Sequence, residues 1–198
     1  LDLVQLLDRD NKTQEDSSMR KLKTLSFAAC AVLAAGAVHA DNHGVMEATA
    51  DFIDKESKSV GTATLTEGPN GVAIYLDLQG LPPGPKAIHI HAVGTCEDPE
   101  AGFVASKGHL NPDGKEHGLM NPKGPDAGDL TNLMVLDDGT VKVEMFTPRA
   151  SLGGAEGRAT MLDEDGAALV IHINRDDHIT QPIGGAGPRI ACGVVKAK

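Results

Sequence analysis

Residues Ala87-Ile88-His89-Ile90-His91-Ala92-Val93, written AIHIHAV, alternate between isoleucine and histidine over 88–91. Successive side chains of a β-strand point to opposite faces, and residues two apart lie roughly 6.6–6.8 Å apart along one face. Ile88 and Ile90 are therefore expected to enter a core, while His89 and His91 share the other face and can chelate one metal ion. The expectation is a rigid strand carrying a site open on its far side. A lone H-x-H pattern is weak, because strands also carry incidental histidines, so its weight depends on the rest of the chain.

Outward from that strand, short or alternating apolar segments recur at 45–53, 59–66, 72–79, 86–93, 132–136, 140–146, 157–162, 167–173 and 190–195, and are predicted as strands. Gly68-Pro69-Asn70-Gly71, Asp137-Asp138-Gly139 and Asp165-Gly166 supply residues that tolerate the positive φ of hairpin turns. With 23 Gly, 11 Pro, one Tyr, four Phe and no Trp, the core must rest on Val, Ile, Leu and Ala. That balance suits short strands and turns better than a helix bundle. The predicted fold class is all-β, an antiparallel sandwich or barrel. Residues 94–131 and 174–189 do not read as strands. A structureless loop near forty residues, like the first, is usually a misassignment, a disordered linker or a functional loop, and its Cys96, His109, His117, Asp126 and Asp129 argue against a linker.

The 198 residues suit one domain with an extension. Met19-Arg20-Lys21-Leu22-Lys23 followed by an apolar run from Leu25 to Val38 and ending at Ala40 reads as a secretory signal peptide, residues 19–40. The run is too short for a membrane span. Residues 1–18 precede Met19 and read as an upstream extension outside the native mature protein, which leaves 41–198 as the functional domain. Cys30 falls in the signal. Cys96 and Cys192 remain, an even number in an exported chain, and are expected to form one disulfide closing a very long loop. From Asp41 onward 13 Lys and Arg face 23 Asp and Glu. Nucleic acid is excluded as a partner by that charge, and no basic amphipathic run points to a membrane surface.

The remaining histidines change the weight of the opening motif. GHLNPDGKEHG places His109 and His117 in the long loop, and LVIHI places His172 near the end of a late strand. His43 and His178 fall outside these motifs and are expected to be solvent-exposed. The stretches HIHAVGTCEDP, GHLNPDGKEHG, NPKGPDAGDL, VIHINRDD and GGAGPRIACGVV, in that order, resemble the copper, zinc superoxide dismutase family, specifically its exported bacterial branch, over about Val45 to Val195.

The resemblance implies a Greek-key β-barrel, grouped with immunoglobulin-like sandwiches, with two long functional loops. It implies copper held by His89, His91, His109 and His172, and zinc held by His109, His117 and Asp129, with His109 shared between the two. Imidazole suits both metals. Asp126 stands where the family usually has a third zinc histidine. Its carboxylate either binds zinc, giving two His and two Asp, or turns outward and leaves the zinc site weak. Coordination would add negative charge beside copper unless solvent or a nearby cation screens it. Asp176 matches the carboxylate that links a copper histidine to a zinc histidine. Arg189 matches the arginine that guides the anion to copper.

The implied activity is dismutation of superoxide to oxygen and hydrogen peroxide, with Arg189 and His109 as catalytic residues, in the periplasm. The implied partners are the superoxide anion and, at most, a second copy of the chain, with no membrane contact after signal cleavage. The alternative is a periplasmic copper-binding or buffering protein of the same fold; retention of Arg189 and Asp176 argues against it. Gly184, Gly185 and Gly187 form no phosphate loop, since no Lys-Ser/Thr follows. They are expected to let backbone pass close to the active channel.

Overall fold

The computed structural model describes residues 45–198. The extension 1–18, the signal segment 19–40 with Cys30, and His43 lie outside the described residues. Within them the chain forms β1 (Glu47–Asp54), β2 (Ser59–Gly68), β3 (Gly71–Leu78), β4 (Gly84–Lys86), β5 (Ile88–His91), β6 (Leu133–Val135), β7 (Val141–Thr147), β8 (Ala150–Ser151), β9 (Ala159–Thr160), β10 (Ala168–His172) and β11 (Arg189–Ala197), with one 3-10 turn at Val104–Ser106. The expectation of an all-β fold is met.

A single antiparallel sheet in the order β5-β10-β11-β1-β2-β3-β7 curls into a half-barrel, and β4 pairs with β6 as a separate ladder. Neighbours such as β5 with β10 and β3 with β7 are distant in sequence, so the connections cross between edges in the Greek-key manner. Alternate residues fill the inside: Ala48, Ala50 and Phe52 from β1, Ala63 and Leu65 from β2, and Ile74, Leu76 and Leu78 from β3 all join one apolar cluster. Each fully buried Leu, Ile or Phe contributes about 1.5–3 kcal/mol. That aliphatic mass is what holds the sheet curled.

Two strand expectations need correction. The segment 86–93 is not one strand, because β4 bonds to β6 while β5 bonds to β10. Between them Ala87 donates to Asn174 O and accepts from His172 N, each at 2.8 or 2.9 Å, so the chain changes partners at Ala87. The segment 157–162 contracts to β9, which pairs in parallel with β8. With only two residues, β8 is too short to show a period in the sequence.

β5 is an edge strand of the sheet, and the long loop covers its free edge. Ile90 N donates to Gly128 O at 2.9 Å, Leu110 N to Ile90 O at 2.8 Å, and Ala92 N to Gly108 O at 2.9 Å. Gly128 sits so close to Ile90 that a Cβ there would overlap the Ile90 carbonyl. Leu110 and Leu130 plug this loop into the main core. Cys96 and Cys192 are joined, with Cα atoms 5.8 Å apart, across 96 positions of chain. The bridge packs with Phe103, Ala168 and Val170 in a second apolar cluster beneath the same loop.

Candidate metal centre

The alternation read from AIHIHAV places Ile88 and Ile90 in the core, but the opposite face is not open. His89 and His91 are 0% and 1% exposed. The loop over 94–132 lies across them, with His109 opposite His91 and Asp129 opposite His89. His172, at the end of β10 beside β5, completes the group. The ring centroids of His89 and His109 are 4.1 Å apart, those of His89 and His172 5.1 Å, those of His91 and His109 5.5 Å, and those of His91 and His172 5.8 Å.

Hydrogen bonds fix which nitrogen of each ring is free. His91 Nδ1 lies 2.8 Å from Lys107 O and His172 Nδ1 2.8 Å from Gly187 O. A carbonyl only accepts, so both Nδ1 atoms carry the proton and both Nε2 atoms keep a lone pair. His89 is reversed: its Nε2 donates to Asp176 Oδ2 at 2.9 Å, which leaves Nδ1 free. His89 Nδ1, His91 Nε2, His172 Nε2 and His109 Nε2 are all buried without a hydrogen-bond partner. His89, His91 and His172 offer donor atoms within 4.8 Å of one another. Buried unsatisfied atoms cost about 1–3 kcal/mol each, so converging lone pairs of this kind fit a cation. Burial, with neighbouring rings and Arg189 adding to it, pulls His91 well below its ordinary pKa and His172 down to about 3. Both rings are therefore neutral, the form that ligates metal.

A second group adjoins the first. His109, His117, Asp126 and Asp129 offer donors that also lie within 4.8 Å of one another. His109 Nδ1 is 2.9 Å from Asp126 Oδ2 and 3.6 Å from Asp129 Oδ1, and His117 Nδ1 is 2.5 Å from Asp129 Oδ1. Asp126 points inward, 3% exposed, rather than toward solvent. His117 Nε2 is already engaged by Asp176 Oδ1 at 3.1 Å. Burial opposes a charge on His117, yet hydrogen bonds to Asp129 and Asp176 outweigh it and raise its pKa to about 10. Two carboxylates facing two imidazoles form a pocket that requires a positive charge, and this donor set suits zinc. By distance His109 belongs to this second group, while its free Nε2 and its stacking on His89 turn it toward the first.

Asp176 links the groups, holding His89 through Oδ2 and His117 through Oδ1. Asn132 fixes it from behind, donating to Asp176 O at 2.9 Å and accepting from Asp176 N at 2.8 Å. Gly184, at φ 60°, lets the returning loop pass, since a Cβ there would overlap Asp176 Oδ1. Gly187 also lies close, against Asn174, whereas a Cβ on Gly185 would meet open space, so the close-approach expectation holds for two of the three glycines. His178 is not solvent-exposed as expected. It is wedged between Asn132 Nδ2, at 2.9 Å from its Nε2, and Asp176 Oδ2, at 3.3 Å from its Nδ1.

Arg189 stands at the rim. Its Nη1 donates to Phe103 O at 2.5 Å and its Nη2 to Lys107 O at 2.6 Å. It lines a cavity of about 310 Å3 with His172, Lys55, Gly187 and Pro188, so His172 is the histidine of the cluster that this cavity reaches, between two cations. Arg149, missed in the sequence, lies on the other side and donates Nη2 to Asp129 O at 2.5 Å. No motif marks it, because its contact is with a backbone oxygen.

Comparison with known proteins agrees with this geometry. The family model described as copper/zinc superoxide dismutase matches residues 59–195. The chain belongs to the copper/zinc superoxide dismutase family. A superoxide dismutase [Cu-Zn] of Caulobacter vibrioides is 46% identical over 150 residues, covering 75% of this chain and 85% of the relative. A superoxide dismutase [Cu-Zn] of Aquifex aeolicus is 45% identical over 152 residues, covering 76% and 87%. Among solved structures, a double mutant of a superoxide dismutase-like protein from Bacillus subtilis aligns with TM-score 0.70 at 40% identity, covering 74% of this chain and 95% of that one. The Cu/Zn superoxide dismutase of Brucella abortus aligns with TM-score 0.60 at 27% identity, covering 76% and 99%.

Proposed function

We propose that this protein dismutes superoxide, converting two superoxide anions and two protons to oxygen and hydrogen peroxide. The carrying observation is the set of four buried, unpartnered imidazole nitrogens, from His89, His91, His109 and His172, with those of the first, second and fourth converging and His172 lining a cavity rimmed by Arg189. In this reading those four histidines hold copper, and His109, His117, Asp126 and Asp129 hold zinc. Copper bound there would supply a one-electron couple for the transfer of an electron between two superoxide anions, and zinc would hold His109 in register.

The chain's own groups do the rest. Arg189 binds the anion beside His172, and its charge keeps superoxide near the cluster although the domain as a whole is acidic. His109 Nε2 is the atom that takes up a proton between the two half-reactions and returns it to the second anion. Asp176 orients His89 and His117 together, so the two groups keep a fixed relation. Burial of every ligating side chain excludes bulk water and leaves the cavity as the approach.

Metal content and activity measured on one sample test this. Copper and zinc should each approach one per chain, with rapid superoxide removal. His172→Ala should lose copper and most activity. Arg189→Ala should keep copper but lose rate, most at low ionic strength; an Arg189→Ala protein matching the parent at every salt concentration would refute the guiding role. A copper-loaded parent without activity would leave the buffering reading, which the retained Arg189 and Asp176 oppose. Export to the periplasm belongs to the same proposal, supported by the disulfide and by the basic-then-apolar sequence at 19–40. A homodimer would bury the apolar surface of Met134, Leu136 and Val143, and light scattering decides it.

A further inference from the structure

The turn over residues 103–107 is bent against its sequence. Phe103 at φ 57° and Lys107 at φ 64° both have positive φ, where a non-glycine residue costs on the order of 1–3 kcal/mol. The turn is held by the burial of Phe103 against the Cys96–Cys192 bridge and by Ser106, which is fully buried. Ser106 N and Oγ both donate to Phe103 O, at 3.2 and 2.8 Å.

The strained turn directs a small set of acceptors to one place. Having given its proton to Phe103 O, Ser106 Oγ keeps two lone pairs. One accepts from Arg189 Nη1 at 3.2 Å, and the other faces His91 Nδ1 at 3.3 Å. Lys107 O repeats the arrangement, accepting from Arg189 Nη2 at 2.6 Å and from His91 Nδ1 at 2.8 Å. The rim guanidinium and an inner imidazole thus share two acceptors, one of them a side chain, and Phe103 O holds Nη1 as well, at 2.5 Å.

We propose that Ser106 is a positioning residue that ties the anion-holding guanidinium of Arg189 to His91, fixing their mutual orientation before the anion arrives. The inference rests on the reading of His91 as a copper ligand and Arg189 as the anion guide. A guanidinium already restrained by carbonyl and hydroxyl acceptors loses little further freedom on binding, which is the advantage of preorganisation. The hydroxyl is essential because it alone in the turn both donates, closing the bend, and accepts, reaching Arg189.

The test uses full-length copper-loaded protein with azide as the anion probe, reading the azide Kd from absorbance and the Cu(II) site from its electron paramagnetic resonance spectrum. Ser106→Ala removes one oxygen and leaves the backbone bond of Ser106 N and the disulfide in place. Copper content should stay at the parent level, the azide Kd should rise about tenfold, as for one lost hydrogen bond to a charged group, and the copper hyperfine pattern should shift because His91 loses an acceptor. In the Arg189→Ala background the same change should leave the azide Kd within twofold. An unchanged Kd and spectrum in Ser106→Ala, or an equal tenfold effect with Arg189 absent, would overturn the inference. A parent protein that takes up no copper would overturn the underlying reading of the site instead, which the copper assay distinguishes.

Discussion

At the residue scale, Asp126 is the position where the resemblance implies a histidine instead. Its carboxylate lies 2.9 Å from His109 Nδ1 and faces the same space as Asp129 and His117. Asp126→Ala should therefore lose zinc in dialysis against a chelator while copper remains, and Asp126→His should hold zinc like the parent; metal analysis checks both. Arg149 is the cation beside these carboxylates, anchored on Asp129 O. Arg149→Gln is expected to weaken zinc retention, read by chelator competition, because the Asp129 backbone loses its anchor. Gly184 tests the linkage through Asp176. A Cβ there would meet Asp176 and His117 and would also sit at positive φ, so Gly184→Ala should cost at least about 1–3 kcal/mol and lower zinc and copper content together.

At the element scale, β2 is tied to β8 and the residues just after it by one carboxylate. Glu67 accepts from Ser151 Oγ at 2.7 Å, Leu152 N at 2.8 Å and Gly153 N at 3.0 Å. Burial would raise its pKa, but these donors and Arg158 prevail and lower it below the usual 4.5. The folded state therefore binds a proton here less readily than the unfolded chain, and stability rises with pH through this window. The contribution is complete above 4.5 and fades as pH falls through the lowered folded value. Glu67→Gln should cost about 1.5–3 kcal/mol at neutral pH, and urea unfolding at pH 7 and pH 3 should show the gap between variant and parent shrinking in acid. Strand legibility followed the same scale. β1, β2, β3 and β7 were readable because one face packs the core and the period survives. β8 was not, and the break between β4 and β5 was hidden because an apolar run does not say when the chain changes partners.

At the scale of the whole molecule, the disulfide joins the two ends of the functional apparatus. Cys96 begins the loop that carries His109, and Cys192 follows Arg189 on β11. Closing a loop of this length contributes about 4–5 kcal/mol in the chain-entropy description. Cys96→Ser with Cys192→Ser should lose about 2–5 kcal/mol in denaturant unfolding and should weaken azide binding more than copper binding, since the turn under Arg189 rests on the bridge.

The sequence by itself determined which side chains able to bind a metal stand where, in what order, and on which face of a strand, because residue type and a period of two are local properties. Tertiary structure alone decided that the histidine face is roofed rather than open, that Asp126 turns inward, that His178 is packed against Asp176, and that Ser106 and Arg149 are packed beside these groups. Those outcomes depend on which distant backbone returns to cover β5 and which buried donors are left without partners, and neither is encoded in the spacing of neighbouring residues.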